Sequence, residues 1–203
     1  MQKGGCSMKD KKIAQFIGVL GILCIAVLVI FFVLNQNSED GIFATKENTS
    51  TEVQNILAKD IERNYPATVR EVVRLFSRIS KCYYNESISE SEFEQLLLMQ
   101  RQLFDEEFLD HNPLETFVNN LSSEVVTIKE SEQTMVSYRV QKQSSVTTWE
   151  SGEYHFSSII ASYTLKTGSE YTKTYEEFLL REDEDGRWKI VGWRLTNPIE
   201  IIE

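Results

Sequence analysis

The hydrophobic pattern of the chain has three regimes. From Ile13 to Leu34 the sequence IAQFIGVLGILCIAVLVIFFVL carries no charge and a single glutamine. A helix of that length rises roughly 33 Å, enough to cross a hydrocarbon core of about 30 Å. A helix buried in a soluble core normally keeps a polar stripe, so this pattern predicts a membrane span over residues 13–34. Residues 35–50 are polar and aperiodic, the mark of a tether.

The second regime is helical. Thr51-x-x-Gln54 reads as a capping box opening a short helix to about Arg63, and Pro66 breaks it. The next helix, about residues 67–84, places Val69, Val72, Val73, Phe76, Ile79, Cys82 and Tyr83 at helical spacing. Ser89-x-x-Glu92 caps a third, with Phe93, Leu96, Leu97, Leu103, Phe104 and Phe108 on one stripe. Asn112-Pro113 opens a fourth, running to about Lys129 with Leu114, Phe117, Val118, Leu121 and Val125 inward.

After residue 133 the period becomes two. Val136, Tyr138 and Val140 alternate with Ser137 and Arg139, which predicts one shared face for the apolar three. A weaker strand covers Val146 to Trp149, and Ser151-Gly152 turns into a long strand from Tyr154 to Leu165. Tyr154 and Phe156 take one face of that strand, while Ile159, Ala161, Tyr163 and Leu165 take the other. A bulge near Ser157-Ser158 is the expected cause of the switch. Thr167-Gly168 turns again, and Tyr171 to Arg181 forms the first arm of a final hairpin. Asp185-Gly186 predicts a type I′ turn. In the last strand Trp188 and Ile190 point one way and Val191, Trp193 and Leu195 the other, with Gly192 marking a bulge or a close backbone approach. Two apolar faces predict a central or wrapped strand, with Trp188 in a core shared by helices and sheet. Helices followed by an antiparallel sheet make an α+β layout.

Charge sharpens the division. The chain carries −10 overall, but Lys3, Lys9, Lys11 and Lys12 against Asp10 give residues 1–34 a balance of +3, leaving −13 for residues 35–203. Such an acidic domain is a poor partner for nucleic acid. Lysines precede the apolar stretch and Glu39-Asp40 follow it, so the N-terminus is expected in the cytoplasm. No small-residue cleavage pattern follows, which predicts an uncleaved signal anchor whether translation starts at Met1 or Met8. The expected organisation is a cytoplasmic basic tail (1–12), a transmembrane segment (13–34), a linker (35–50) and an extracytoplasmic domain (51–203). Of Cys6, Cys24 and Cys82 only the last lies in that domain, so no intramolecular disulfide is available to it. That suits an exported bacterial domain better than a eukaryotic secreted one. The N-x-S/T triplets at Asn48, Asn85 and Asn120 are no more than chance supplies.

Candidate chemistry is sparse. His111 falls near a helix start, and His155 sits on a strand facing opposite to Tyr154 and Phe156, where a surface or half-buried position is the ordinary expectation. Glu176 and Glu177 are neighbours on a strand, so alternation sends one inward, although charges are usually solvated. There is no Gly-rich phosphate loop, no Cys/His metal spacing and no nucleophile elbow. The acidic run Glu182 to Asp185 lacks the alternate spacing and distal Glu of a calcium loop. No catalytic, cofactor or metal-binding residue is therefore assigned, and Tyr83, His155, Tyr163, Tyr175 and Trp193 stand as pocket or interface candidates.

Two stretches, VREVVRLFSRISKCYYN and YTKTYEEFLLREDEDGRWKIVGWRL, resemble the NTF2-like (SnoaL-like) superfamily, over about residues 66–196. Within it the chain looks most like a group of short membrane-anchored proteins from Gram-positive bacteria. The resemblance implies a strongly curved sheet wrapped around three to four helices as a cone, closed by the last strands. Some members of that superfamily are isomerases, dehydratases or epoxide hydrolases that use Asp or His inside the cone. A basic tail, one span and such an ectodomain are also similar to the VirB8-type subunits of secretion and conjugation systems, which are assembly parts. The expectation is a binding or scaffold module at the cell envelope, without catalysis or cofactor, meeting another envelope protein or a second copy of itself. The alternative is a cone pocket that takes a small molecule or performs hydrolase or isomerase chemistry.

Overall fold

A computed structural model of the chain describes residues 51–198. The tail, span and linker expected at residues 1–50 lie outside the described residues, and among those described no helix is long and apolar enough to cross a membrane. Among the described residues five α-helices precede five strands: α1 (Thr51–Leu57), α2 (Val69–Asn85), α3 (Glu90–Arg101), α4 (Glu106–His111), α5 (Leu114–Glu130), β1 (Thr134–Val140), β2 (Thr147–Ser151), β3 (Tyr154–Thr167), β4 (Glu170–Glu182) and β5 (Trp188–Leu195), with one 3-10 turn, Gln143–Ser145, between β1 and β2. The fold is α+β, with a curved antiparallel sheet.

The helices start where their side chains can satisfy free backbone donors. Thr68 accepts from the Glu71 N–H at the head of α2, and Ser89 and Glu92 form a reciprocal capping box on α3. The start of α1, where the Thr51 capping box was expected, borders residues outside those described, and α1 ends at Leu57, short of the expected Arg63. The stripe expected to run through one helix from Phe93 to Phe108 is divided. The α3 helix stops at Arg101 and Asp105 caps a new helix, α4, by accepting from the Glu107 N–H. The break frees backbone groups for the sheet: Asp105 N–H donates to the Ile190 carbonyl at 2.9 Å, and Ile190 N–H to the Leu103 carbonyl at 2.8 Å. This short parallel bridge covers part of the outer border of β5.

The sheet order is β1-β3-β4-β5, with β2 also paired to β3. The β1 strand pairs with residues 161–166 of β3 and β2 with residues 154–158, so the two lie end to end along one border. Consequently β5 is the opposite border strand and not a central one.

Register decides the faces. Pairing between β3 and β4 runs without a shift from Phe156↔Arg181 to Thr167↔Glu170, so there is no bulge at Ser157-Ser158. The apolar residues change face there because each face has its own core. Ile159, Ala161 and Tyr163 join Phe178, Leu180 and Ile190 against the helices. Phe156 joins Leu179 and Val191, with Trp149 packed on them, in a second cluster on the outward face. The bulges fall elsewhere. In β1 the shift lies between Met135 and Ser137, leaving Val136 exposed while Met135, Tyr138 and Val140 face inward. In β5 the ladder steps from Leu180↔Ile190 to Leu179↔Gly192, so Val191 is the extra residue. That insertion re-phases the strand, and Trp188, Ile190 and Trp193 all pack on the inner core, contrary to the split expected from strict alternation. The closing turn also differs from type I′. Gly186 alone takes positive φ (75°), its N–H donates to the Asp183 carbonyl at 3.0 Å, and the Asp183 carboxylate accepts from the N–H groups of Asp185 and Arg187. A type I turn followed by a left-handed glycine fits this pattern. Here the acidic run serves the hairpin.

Candidate functional site

Between the helical layer and the inner face of the sheet lies an aromatic cluster. Trp193 is its hub, with ring centroids 5.1 Å from Phe76, 5.6 Å from Phe108, 5.8 Å from Phe178 and 6.1 Å from Phe104. Phe117 of α5 meets the edge of Phe104 at 5.6 Å, under the Arg101 guanidinium. These rings fill the centre of the layer. Polar groups gather beside them.

Four elements contribute. Tyr163 from β3 is buried and its hydroxyl lies 3.0 Å from the Ser77 hydroxyl on α2. Ser77 in turn donates to the Val73 carbonyl, so the two hydroxyls form a chain. Tyr84, one position beyond the buried Tyr83 on α2, has a phenol that feels the charges of two carboxyls. One is Glu176, which sits between Thr174 and Phe178 on the inward-facing positions of β4, opposite Ala161 and Leu195. The other is Glu124, three and four residues from Leu121 and Ile128 on α5. Neither carboxylate has a hydrogen bond or a cation partner among the described residues, whereas the neighbouring Glu177, on the outer face, is paired by Arg194 at 2.7 Å.

Surrounding protein raises the Glu124 carboxyl, although the residue as a whole is exposed to solvent. Burial, followed by the charge of Glu124, pushes Glu176 up to about 7. The like-charge cost belongs to the pair and not to one member of it. The same two carboxylates, after burial itself, raise the phenol of Tyr84, and Glu176 does so for Tyr163. The arrangement can hold and release one proton near neutral pH, in a wall of phenols.

A consequence follows for stability. Glu176 is pushed up to about 7 in the fold from an ordinary carboxyl value of 4.5, so between those values the native state binds the extra proton. Its stabilising share is full below about 4.5 and is lost as pH rises through about 7. Urea unfolding at constant ionic strength should therefore give a midpoint that falls from pH 5.5 to pH 8. In Glu176→Gln most of that fall should vanish, with the variant the more stable protein at pH 8. A midpoint that is flat, or that rises, over this range in the native chain would contradict the assignment.

The five residues singled out from sequence are only partly brought together. Tyr83, Tyr163 and Trp193 belong to the inner core; the Tyr83 hydroxyl reaches Gln100 at 3.4 Å and its ring packs on Phe93. Tyr175 lies on the outer face opposite Ser162, with the Lys173 ammonium 5.1 Å above its ring. His155 is 57% exposed at the end of β3, with Nδ1 2.8 Å from Glu182 and Nε2 3.8 Å from Glu150. An imidazole between two carboxylates has the orientation of a general base, but it stands open to water away from the interior. Glu124 was missed in sequence because it reads as one charge on an amphipathic helix. Glu176 was visible as one of an adjacent pair, and the alternation of β4 chooses it.

A separate cavity of about 330 Å³ lies between α1, α2 and β1, lined by Glu52, Arg78, Lys81, Cys82, Glu86 and Tyr138. Arg78 and Glu52 pair across it at 2.8 Å. Burial pushes the Cys82 thiol up to about 12, so it is a packing group and not a nucleophile. Among the described residues no group of His, Cys, Asp and Glu side chains is placed to hold a metal ion.

The model of one family, described as a domain of unknown function (DUF6715), matches residues 7–193. The chain belongs to that family. The DUF6715 match runs through both the apolar stretch at 13–34 and the folded domain as far as Trp193, so the two are parts of one family pattern. Among curated proteins none matches the chain.

Proposed function

We propose that this is a single-pass membrane protein whose extracytoplasmic, NTF2-like domain works as a binding or scaffold module at the cell envelope. The observation that carries the reading is the filled interior: Trp193 stacked among Phe76, Phe104, Phe108 and Phe178 occupies the space where a cone enzyme would receive substrate. Support comes also from the charge-free stretch at 13–34, which lies within the same family pattern as the domain. A span would confine the domain to one surface and raise its effective concentration toward a membrane-bound partner without any new contact. The −13 charge beyond the span disfavours anionic surfaces as the main ligand. Similarity to VirB8-type assembly subunits is part of this proposal.

Two measurements test it. Protease added to intact protoplasts should digest the domain and spare only the N-terminal few dozen residues; protection of the domain would overturn the topology. Crosslinking in native membranes should trap a dimer or one discrete heteromeric band, and a His155→Ala variant should retain it. Loss of function in a folded His155→Ala chain would favour chemistry instead.

A second reading has its own observation. A carboxyl at about 7, flanked by Tyr84 and Tyr163, meets the pKa requirement of a general acid–base for a hydrolase or isomerase. In that reading α5 must move to admit a small molecule. Turnover or saturable binding lost in Glu176→Gln, with the crosslinked band unchanged, would select it.

A further inference from the structure

We propose that the cavity between α1, α2 and β1 is a binding site for a small zwitterion of the α-amino-acid class. Its volume of about 330 Å³ lies at the lower end of the range of about 300–1,000 Å³ usual for small-molecule sites. That space suits a molecule of a few heavy atoms and excludes a folded partner. None of its lining residues belongs to the ring cluster around Trp193, so it is separate from the filled interior.

Three elements build the wall. Glu52 comes from the first turn of α1, Arg78, Lys81 and Cys82 come from α2 with Glu86 as its C-cap, and Tyr138 comes from β1. Two cations therefore face two carboxylates. The buried Cys82 keeps its proton, its thiol being pushed up to about 12, and adds no charge. Such a balanced lining favours neither sign alone: an anion would meet Glu52 and Glu86, and an amine would meet Arg78 and Lys81.

Part of this charge is unspent. Arg78 turns Nε and one Nη to the same Glu52 oxygen, at 2.9 and 2.8 Å, and its other Nη has no partner among the described residues. The side chains of Lys81 and Glu86, both half-buried, make no hydrogen bond or ion pair among the described residues, with each other or with any other group. Charges held partly out of water without partners forfeit hydration and gain nothing in return. A ligand carrying both signs repairs both. Its carboxylate accepts from Lys81 and the spare Nη of Arg78, and its ammonium donates to Glu86, over a floor formed by Cys82 and beside the Tyr138 phenol. Hydrogen bonds between charged groups are the strong ones. The Arg78–Glu52 pair stays intact throughout. This site uses neither the membrane span nor a protein partner, so it stands apart from the function proposed above.

Calorimetric titration of the full-length chain in detergent tests the site, with the protein L-amino acids offered one at a time at millimolar concentration. At least one should bind saturably. Its amine analogue, lacking the carboxylate, and its carboxylic-acid analogue, lacking the ammonium, should each bind about tenfold more weakly or worse. Lys81→Gln and Glu86→Gln should each weaken binding by a similar factor and leave the melting temperature in place. Neither side chain holds the fold: Glu86 caps α2 through its backbone N–H and receives Lys129 at its carbonyl, and glutamine keeps both. Lys142→Gln, which removes an exposed cation outside the cavity, should bind as the native chain does. The site is overturned if no amino acid binds, or if the singly charged analogues bind as well as the zwitterion. It is equally overturned if either cavity variant keeps the native affinity.

Discussion

Phe178→Ala is expected to cost about 3–5 kcal/mol, the range for truncating a large buried aromatic side chain. Its ring is fully buried on β4, edge-on to Phe76 at 5.3 Å and stacked with Trp193 at 5.8 Å, so removing it opens a void between the helical layer and the sheet. Rings 5–6 Å away cannot close such a gap without leaving their own contacts. Domains commonly have only about 5–15 kcal/mol in total. Urea denaturation followed by circular dichroism should show a large drop in midpoint, or a chain already partly unfolded. Trp188→Ala, which the sequence alone would rank with it, should cost distinctly less. That side chain is only partly buried, and the hydrogen bond at its position runs from the Tyr65 hydroxyl to the Trp188 backbone carbonyl, which alanine retains. Equal costs for the two would contradict this account of the core.

Asp105→Ala should cost about 3–5 kcal/mol, for a different reason. Asp105 is 4% exposed and receives both the Nε and an Nη hydrogen of Arg181, with Nε at 2.9 Å. Its side chain also caps α4. Alanine would leave the guanidinium, itself only 19% exposed, with the distant Glu107 carboxylate at 3.5 Å and the Tyr154 ring at 4.9 Å. An unpaired, mostly buried charge is the expensive element, so Asp105→Ala combined with Arg181→Met should lose less than the two single costs added together. A double-mutant cycle measures this directly. Strict additivity would remove the pair from the list of stabilising contacts.

The residues that were legible in sequence are those governed by local rules. Helical spacing placed Val69, Val72, Val73, Phe76 and Ile79 inward, and the Ser89–Glu92 capping box marked the head of α3. Period-two alternation placed Ile159, Ala161 and Tyr163 on one face of β3. What escaped depends on the other side of a contact. Phe156 looked out of phase only because a second cluster with Leu179 and Val191 cannot be seen from β3 alone. Trp193 was assigned to the wrong face because a one-residue insertion at Val191 costs no local signal beyond the adjacent glycine. Glu124 was hidden for the same reason: its charge acts on Glu176, a residue on another element, and nothing in the sequence of α5 signals that.

The bridge between Leu103–Asp105 and Ile190 carries a consequence for how the chain reaches its native state. Residues some 85 positions apart exchange main-chain hydrogen bonds, so the junction of α3 and α4 has no partner of its own until β5 arrives. The hairpins β2–β3, β3–β4 and β4–β5 are local and should form early, but docking of that last strand closes a long loop of chain and carries the corresponding entropic cost. Helical layer and sheet are then expected to commit together, in one cooperative step that awaits β5, so that neither half persists as an independently melting unit.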